Sequence, residues 1–293
     1  MSLRHDCQAI QYLNAQPNVL NKNGKQKESI MTSESDSLLL VDNLNGVTTL
    51  TLNNPAGRNS LSMAMLQALH DQLVVLADDA ATRVVVLAAS GKVFCAGHDL
   101  KEVQGQLGST PFMLSLFELC SKVMQQIVNL PKPVIARVDG VATAAGCQLV
   151  ASCDLAVAGE TARFATPGVN IGLFCSTPMV ALSRNVSPKH AMEMLLTGEM
   201  ISAARAEQIG LVNRVVADSE LDNAVAQLAG TIAGKSGHTL KIGKQAFYRQ
   251  LEMPLHEAYA FTSQVMAKNL EAEDAEEGIC AFLAKRPAKW QDR

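Results

Sequence analysis

Two glycine-containing turns, each set before a predicted helix, are the parts of this sequence best suited to chemistry. The first lies in residues 93–102, VFCAGHDLKE, where Asp99 and Glu102 predict a capping box and hence a helix start. The second is Ala144-Ala-Gly146. A turn that opens a helix leaves backbone N–H groups free to face an anion or a carbonyl. If the two turns face each other, their amides could hold a developing oxyanion.

One polar side chain, Gln148, stands in the small, apolar stretch GVATAAGCQLVASCD of residues 140–154. Leaving the hydrogen bonds of a buried Gln unmade costs about 1–3 kcal/mol. Its amide can orient water or a substrate carbonyl, but it cannot take up a proton at neutral pH. The sequence leaves open whether Gln148 does this or braces the loop.

The seven cysteines show no metal-type spacing, and we expect free, reduced thiols and no metal site. Cys175 and Ser176 have no His close in sequence, which favours a pocket wall over a nucleophile. Cys147 is best interpreted as a small residue that packs in the core.

Composition excludes several classes of partner. The net charge of -3 without a basic patch argues against nucleic acid, and no apolar run approaches the ~18–20 residues of a membrane span. Residues 1–36 are polar and aperiodic, which predicts a disordered tail, with Met31 as an alternative start. That tail has neither a secretory apolar region nor the Arg-rich character of a transit peptide. We therefore expect a cytoplasmic protein, or a mitochondrial-matrix protein in a eukaryote.

Strand and helix patterns alternate up to about residue 188 and then become helical. This order predicts an α/β core at 37–188 and a helical region at 189–293. The turn Asn45-Gly46 predicts a hairpin, and Ser62 is placed to cap the first helix. The predicted strands are 38–41, 47–52, 83–89, 133–138 and 154–158, and the main predicted helices are 62–77, 112–128, 191–196, 221–233, 239–250 and 255–269.

Five blocks, in order, resemble those of the enoyl-CoA hydratase/isomerase (crotonase) superfamily, and the resemblance covers residues 37–291. It implies a ββα spiral core, a helical trimerisation region and a homotrimer or dimer of trimers. It also implies an acyl-CoA thioester as substrate, with no separate cofactor. The enolate would be held by two backbone N–H groups, which by position are those of His98 and Ala145. The blocks are LNNPAGRNSLS, VFCAGHDLKE, GVATAAGCQLVASCDLAVA, MEMLLTGEMISAARAEQIGLVNRVV and EEGICAFLAKRPAKW.

The same resemblance implies that hydratases carry two catalytic glutamates where this chain has Gln148 and Gly168. General acid–base groups contribute ~10²–10⁴-fold, so we expect ordinary water addition to be impaired. Decarboxylation of a malonyl-type CoA needs no such base and is one alternative. The GHD triplet and residues 166–172 resemble that branch, but its Tyr is missing near Cys175. A non-catalytic acyl-CoA-binding protein is the other alternative.

The resemblance also implies a set of substrate- and CoA-binding positions, two of which act from a neighbouring subunit, namely Phe282 and Lys285. For Arg58, an ordinary solvated side chain is an equally good interpretation. For Phe282 and Lys285, the alternative is that they only form the end of the final helix, with Lys285 near its C-terminus. For the His98 ring, packing is favoured over an acid or a substrate contact. The full set is Arg58, Ala96, Gly97, Asp99, Leu100, Gly146, Cys175, Phe282 and Lys285.

Overall fold

The computed structural model describes residues 37–293, so the predictions for the 1–36 tail and the Met31 start lie outside the described residues. Within 37–293, no helix combines the length and the apolar character that a membrane crossing requires.

The chain begins with the predicted hairpin, in which β1 (Leu39–Leu44) pairs antiparallel with β2 (Val47–Leu52). Both turn residues have positive φ, 52° at Asn45 and 81° at Gly46. Asn and Gly tolerate this conformation, which explains why the dipeptide predicts the hairpin correctly.

Two sheets are built from a repeating strand–strand–helix unit. In each unit, the first strand joins one sheet and the second strand joins the other sheet, where each runs parallel to its counterpart in the neighbouring unit. The chain therefore winds as the expected ββα spiral. The six-stranded sheet has the order β1, β2, β3 (Val84–Ala89), β5 (Val134–Val138), β7 (Leu155–Gly159), β10 (Arg214–Val216), and the four-stranded sheet has β4 (Val93–Cys95), β6 (Val141–Thr143), β8 (Arg163–Ala165), β9 (Ile201–Ser202).

The helices agree closely with the periodic segments of the sequence. The Ser62 hydroxyl accepts from the Met65 N–H at 3.2 Å, as expected of an N-cap. The apolar face of this first helix is buried and consists of Met65, Leu66, Leu69, Leu73 and Leu76. The described helices are α1 (Met63–Asp78), α2 (Leu100–Gly105), α3 (Thr110–Asn129), α4 (Ala145–Ser152), α5 (Pro178–Asn185), α6 (Pro188–Thr197), α7 (Ala203–Gln208), α8 (Leu221–Ala233), α9 (Gly237–Gln250), α10 (Leu255–Asn269) and α11 (Glu273–Leu283).

The capping box predicted at the start of α2 is only half correct. The Asp99 carboxylate accepts from the N–H groups of Lys101 and Glu102, as an N-cap does. The Glu102 carboxylate does not turn back to Asp99 but accepts from the Met63 N–H at 3.0 Å. It thereby satisfies an unpaired donor of α1 and ties the two helix starts together.

Residues 189–293 are mainly helical, as predicted, and two short strands of this region extend the sheets beyond residue 188. Strand β10 adds to the six-stranded sheet parallel to β7, and β9 pairs antiparallel with β8. Helix α8 packs Leu221 and Val225 against the buried sheet residues Val86 and Ile135. The added strands are two and three residues long, too short to show an alternating pattern.

A buried ion pair attaches α9 to the sheet. The Lys244 ammonium lies 2.7 Å from the Asp154 carboxylate and donates to the carbonyls of Ile127 and Lys132, each at 2.9 Å. The Tyr248 hydroxyl donates to the other Asp154 oxygen at 2.9 Å. Burial lowers the pKa of Lys244 and raises the pKa of Tyr248.

Candidate active site

The two glycine-containing turns are in direct contact. A Cβ atom placed on Gly97 would lie 2.9 Å from the Ala144 Cβ and 3.3 Å from the Ala145 nitrogen. The Thr143 hydroxyl also donates to the Ala96 carbonyl at 3.1 Å, which links the end of β6 to the first turn. The expectation that the turns face each other is thus confirmed.

Local sequence makes this contact possible. Gly97 has φ of 92°, and a Cβ on Gly146 would come within 2.1 Å of the Cys95 carbonyl oxygen, so α4 can approach β4 only without a side chain there. Ala144 opens α4 with φ 50° and ψ -118°. A non-glycine residue in such a conformation costs about 1–3 kcal/mol, and strain of this kind is concentrated at functional sites.

Two backbone donors remain free at this contact. Within residues 37–293, neither the His98 N–H nor the Ala145 N–H has a hydrogen-bond acceptor. The Ala145 N–H is also the first of α4, where the helix dipole places a partial positive charge. The pair could therefore bind a developing oxyanion.

Three buried side-chain atoms in the described range lack any hydrogen-bond partner, and they are His98 Nε2, Gln148 Oε1 and Thr166 Oγ1. Each such atom costs about 1–3 kcal/mol unless a ligand or water satisfies it. Sequence reasoning singled out two of them and missed Thr166. The available signal was its place in FATPG (residues 164–168), the motif that carries Gly168.

Backbone contacts place all three residues around Ala144. The Gln148 N–H donates to the Ala144 carbonyl at 3.0 Å, one helical turn into α4. The Ala144 N–H donates to the carbonyl of Ala165, which immediately precedes Thr166, at 2.9 Å. His98 follows Gly97, which touches Ala144 directly. The backbones of the three residues thus lie around Ala144, and we call His98, Gln148 and Thr166 the Ala144 cluster.

The His98 ring is fixed on two sides. Its Nδ1 lies 3.2 Å from the Leu61 carbonyl, and its plane meets the Phe117 ring edge-on at a centroid distance of 5.4 Å. Burial lowers the pKa of His98, against weaker opposing effects of the Leu61 carbonyl and the Glu102 charge. A carbonyl only accepts, so Nδ1 carries the proton and the neutral ring has its lone pair on Nε2.

Position 168 has no room for a side chain. A Cβ on Gly168 would lie 2.6 Å from the Leu173 carbonyl oxygen and 2.9 Å from the Cys175 sulfur. The Leu173 N–H donates to the Gly168 carbonyl at 2.9 Å, which holds this backbone in place. Residues 173–175 therefore fill the space that the resemblance assigns to a glutamate.

The two thiols near the cluster are not activated. Burial raises the pKa of Cys147 to about 12 and also raises the pKa of Cys175, so both stay protonated at neutral pH. This agrees with the expectation that neither acts as a nucleophile.

The remaining predicted residues divide into two groups. Arg58 is exposed, and its carbonyl accepts from the Ala96 N–H at 3.1 Å, which puts it beside the first turn. Leu100 is 55% exposed at the start of α2. Phe282, 82% exposed, and Lys285 lie at the end of α11, and no hydrogen bond, ion pair or ring contact joins them to the Ala144 cluster within the described chain.

Other parts of the described surface offer less for catalysis. In residues 37–293, no group of three His, Cys, Asp or Glu side chains is arranged to hold a metal ion. A cavity of about 650 Å³ between the hairpin and α8 includes Asp42, Arg137 and Asp222, but no residue of the two turns. Its position away from the unpaired polar atoms gives no reason to place chemistry there.

Comparison with known proteins gives consistent matches over the described chain. The family model described as enoyl-CoA hydratase/isomerase matches residues 42–293. The human enoyl-CoA hydratase domain-containing protein 3, mitochondrial, is 50% identical over 247 residues, covering 84% of this chain and 81% of that protein. The 2,3-dehydroadipyl-CoA hydratase of Escherichia coli (strain K12) is 36% identical over 259 residues, covering 88% and 100% respectively.

Solved structures agree with the sequence matches. The crystal structure of an enoyl-CoA hydratase from Mycobacterium smegmatis superposes with a TM-score of 0.85 at 54% identity, covering 87% of this chain and 99% of that chain. The human domain-containing protein 3 structure gives a TM-score of 0.84 at 49% identity, covering 87% and 100%.

Proposed function

The chain belongs to the enoyl-CoA hydratase/isomerase family, and from this premise we propose that it processes acyl-CoA thioesters by stabilising a thioester enolate between the N–H groups of His98 and Ala145. The observation that carries the proposal is the contact between the two turns, which leaves both donors free and adjacent. An enolate oxygen carries the negative charge that such donors favour.

The direct test removes one donor and leaves every side chain unchanged. Replacing Ala145 by its α-hydroxy acid converts the amide to an ester and deletes the N–H, whereas a proline would conflict with the φ of 50° at Ala144. Loss of one such donor typically lowers kcat by ~10²–10³-fold. The matched control is the same exchange at Ala203, the first residue of α7. Unchanged turnover in the Ala145 ester would refute the proposed hole.

We propose that hydration of simple enoyl-CoA thioesters is slow in this protein. The support is that Gln148 cannot accept a proton and that Gly168 has no space for a carboxylate. The relative from Escherichia coli is named a hydratase, so hydration remains the first reaction to assay.

Decarboxylation of a malonyl-type CoA thioester is the second candidate. Loss of CO₂ generates the enolate without removal of a proton, which suits a site whose residues at 148 and 168 are both uncharged. Incubation with enoyl-, dienoyl- and malonyl-type thioesters, with mass spectrometry of all products, separates the candidates. CO₂ release from the malonyl-type substrate alone supports the decarboxylase, and binding without any product supports a non-catalytic acyl-CoA-binding protein.

Assembly and location are proposed on the same premise. We propose a homotrimer or a dimer of trimers in which Phe282 and Lys285 reach the CoA of a neighbouring subunit, which is consistent with their exposure at the end of α11. We also propose the mitochondrial matrix as the location in a eukaryote and the cytoplasm otherwise. The printed name of the human relative includes the word mitochondrial, which supports the first of these.

A further inference from the structure

The unpaired atoms of the Ala144 cluster have complementary hydrogen-bonding roles. His98 Nε2, in the tautomer set by Leu61, and Gln148 Oε1 can only accept, whereas the Thr166 hydroxyl can donate. A water molecule donates two hydrogen bonds and accepts others, so it can supply the kind of partner that each of these atoms lacks. The cluster is therefore suited to a water or another small donor, and unsuited to a carboxylate.

Only one member of the Ala144 cluster can take up a proton at neutral pH. An amide oxygen and an alcohol are too weak as bases, and the neighbouring thiols of Cys147 and Cys175 stay protonated. The neutral His98 imidazole has a free lone pair that no residue within 37–293 engages. Imidazole is also the commonest general base in enzymes.

We propose that His98 Nε2 is the proton acceptor of this site and that Gln148 and Thr166 hold the water that it deprotonates. The inference rests on the proposed enolate chemistry and adds the base that the positions at 148 and 168 do not supply. His98 would then act twice, through its backbone N–H and through its ring.

The proton and electron balance of water addition closes with these groups. The water oxygen forms a bond to C3 of the enoyl thioester while one water proton passes to His98 Nε2. The C2–C3 π electrons move to form the enolate, whose oxygen lies against the two backbone N–H groups. The imidazolium then returns a proton to C2, so the ring ends neutral and the product is a 3-hydroxyacyl thioester.

The charge environment of His98 defines the expected pH dependence. Leu61 contributes a carbonyl and Phe117 an uncharged ring, and Glu102 of α2 is the ionisable group whose charge acts on the imidazole. Burial is the largest effect and keeps the pKa of His98 below its ordinary value of 6.5. Activity that needs the neutral ring is therefore retained at neutral pH and lost as pH falls through this lowered pKa.

The test measures hydration and deuterium exchange at C2 in D₂O for the full chain and for His98→Gln. The substitution keeps the backbone N–H but removes the base, so we expect a loss of about 10²-fold or more and no remaining acid limb in the pH profile. Thr166→Val should lower the maximal rate in the pH profile without moving the midpoint of its acid limb. His256→Gln, whose side chain is 84% exposed on α10, is the matched control and should behave as wild type.

The outcomes separate this inference from the proposed function. Wild-type turnover that His98→Gln leaves unchanged in rate and in pH profile would refute the base and leave the enolate chemistry standing. Acyl-CoA binding without exchange and without turnover of either enoyl- or malonyl-type thioesters would refute both. Nitrogen NMR of the imidazole gives a readout independent of activity, and a proton found on Nε2 of the neutral ring would also overturn the proposal.

Discussion

At the residue scale, the space that a side chain at position 168 would need is already occupied by neighbouring residues. The carbonyl of Leu173 and the sulfur of Cys175 stand where a Cβ on Gly168 would point. Restoring a glutamate there requires the segment from 173 to 175 to move. The sequence identifies the missing carboxylate through resemblance, but it cannot reveal that its space has been filled.

We expect Gly168→Ala to lower the free energy of unfolding by about 1–3 kcal/mol, because the added methyl group overpacks against a fixed carbonyl. Chemical denaturation would measure the change. The control is Gly243→Ala in α9, where nothing lies within 4 Å and helix propensity should add about 0.5–1 kcal/mol. A Gly168→Ala variant as stable as wild type would show that residues 173–175 can move to accommodate the methyl group without a measurable cost in stability.

At the element scale, long periodic segments were predictable and short or long-range features were not. The α8 and α10 bounds match the predicted 221–233 and 255–269 because the apolar spacing that marks them is a local property of the sequence. Strands β9 and β10 depend on pairing partners distant in sequence. The same holds for Glu102, whose partner Met63 lies 39 residues away.

The attachment of α9 depends on the buried Lys244. We expect Lys244→Met to destabilise the protein by about 3–5 kcal/mol, because it leaves the Asp154 carboxylate without its cation and two carbonyls unpaired. Thermal and chemical unfolding would measure this. Lys241→Met, at an exposed position of the same helix, should change stability little. Equal effects of the two substitutions would contradict the assigned role.

The end of α11 should respond to acid through Glu277. The Arg286 guanidinium, which makes two hydrogen bonds to the Glu277 carboxylate, is the main cause that lowers the pKa of Glu277 to about 2. A lowered carboxylate pKa stabilises this contact above the ordinary value of 4.5, and the contribution is lost as pH falls from about 4.5 to about 2. Trp290, the one tryptophan of the chain, packs on Gly278 nearby.

Fluorescence of Trp290 can follow this change. We expect an acid-induced transition between about pH 4.5 and about pH 2 that is absent or shifted upward in Glu277→Gln. Glu271→Gln, in the exposed turn before α11, is the control and should follow the wild-type curve. Identical curves for wild type and Glu277→Gln would show that this pair does not hold the segment.

At the scale of the whole molecule, the C-terminal helices expose large apolar side chains that a single chain leaves uncovered. We expect light scattering to give the mass of a trimer or hexamer, because burying this surface between copies is favourable. Phe282→Asp should weaken assembly or CoA binding, whereas Leu44→Asp on the hairpin should affect neither. A monomer that binds acyl-CoA fully would contradict the shared site. The relevant exposures are Leu255 75%, Tyr259 69%, Phe282 82% and Leu283 75%.

The site itself was partly predictable. The two turns and Gln148 are local features, and the structure brings them together around Ala144. Thr166 and the ring tautomer of His98 depend on which groups lack partners after folding, and no local pattern encodes that. The sequence therefore indicates where chemistry occurs more fully than which groups move protons.

The most direct test of the central claim is the hydration rate of a simple enoyl-CoA thioester, measured for the wild-type protein beside an ordinary hydratase of the family. We predict turnover at least about 10²-fold slower, with acyl-CoA binding retained, and a gain in rate for Gln148→Glu but not for Gln148→Met. Turnover equal to that of the ordinary hydratase would contradict the account, since it would mean that replacing both glutamates by Gln148 and Gly168 costs this site nothing in rate.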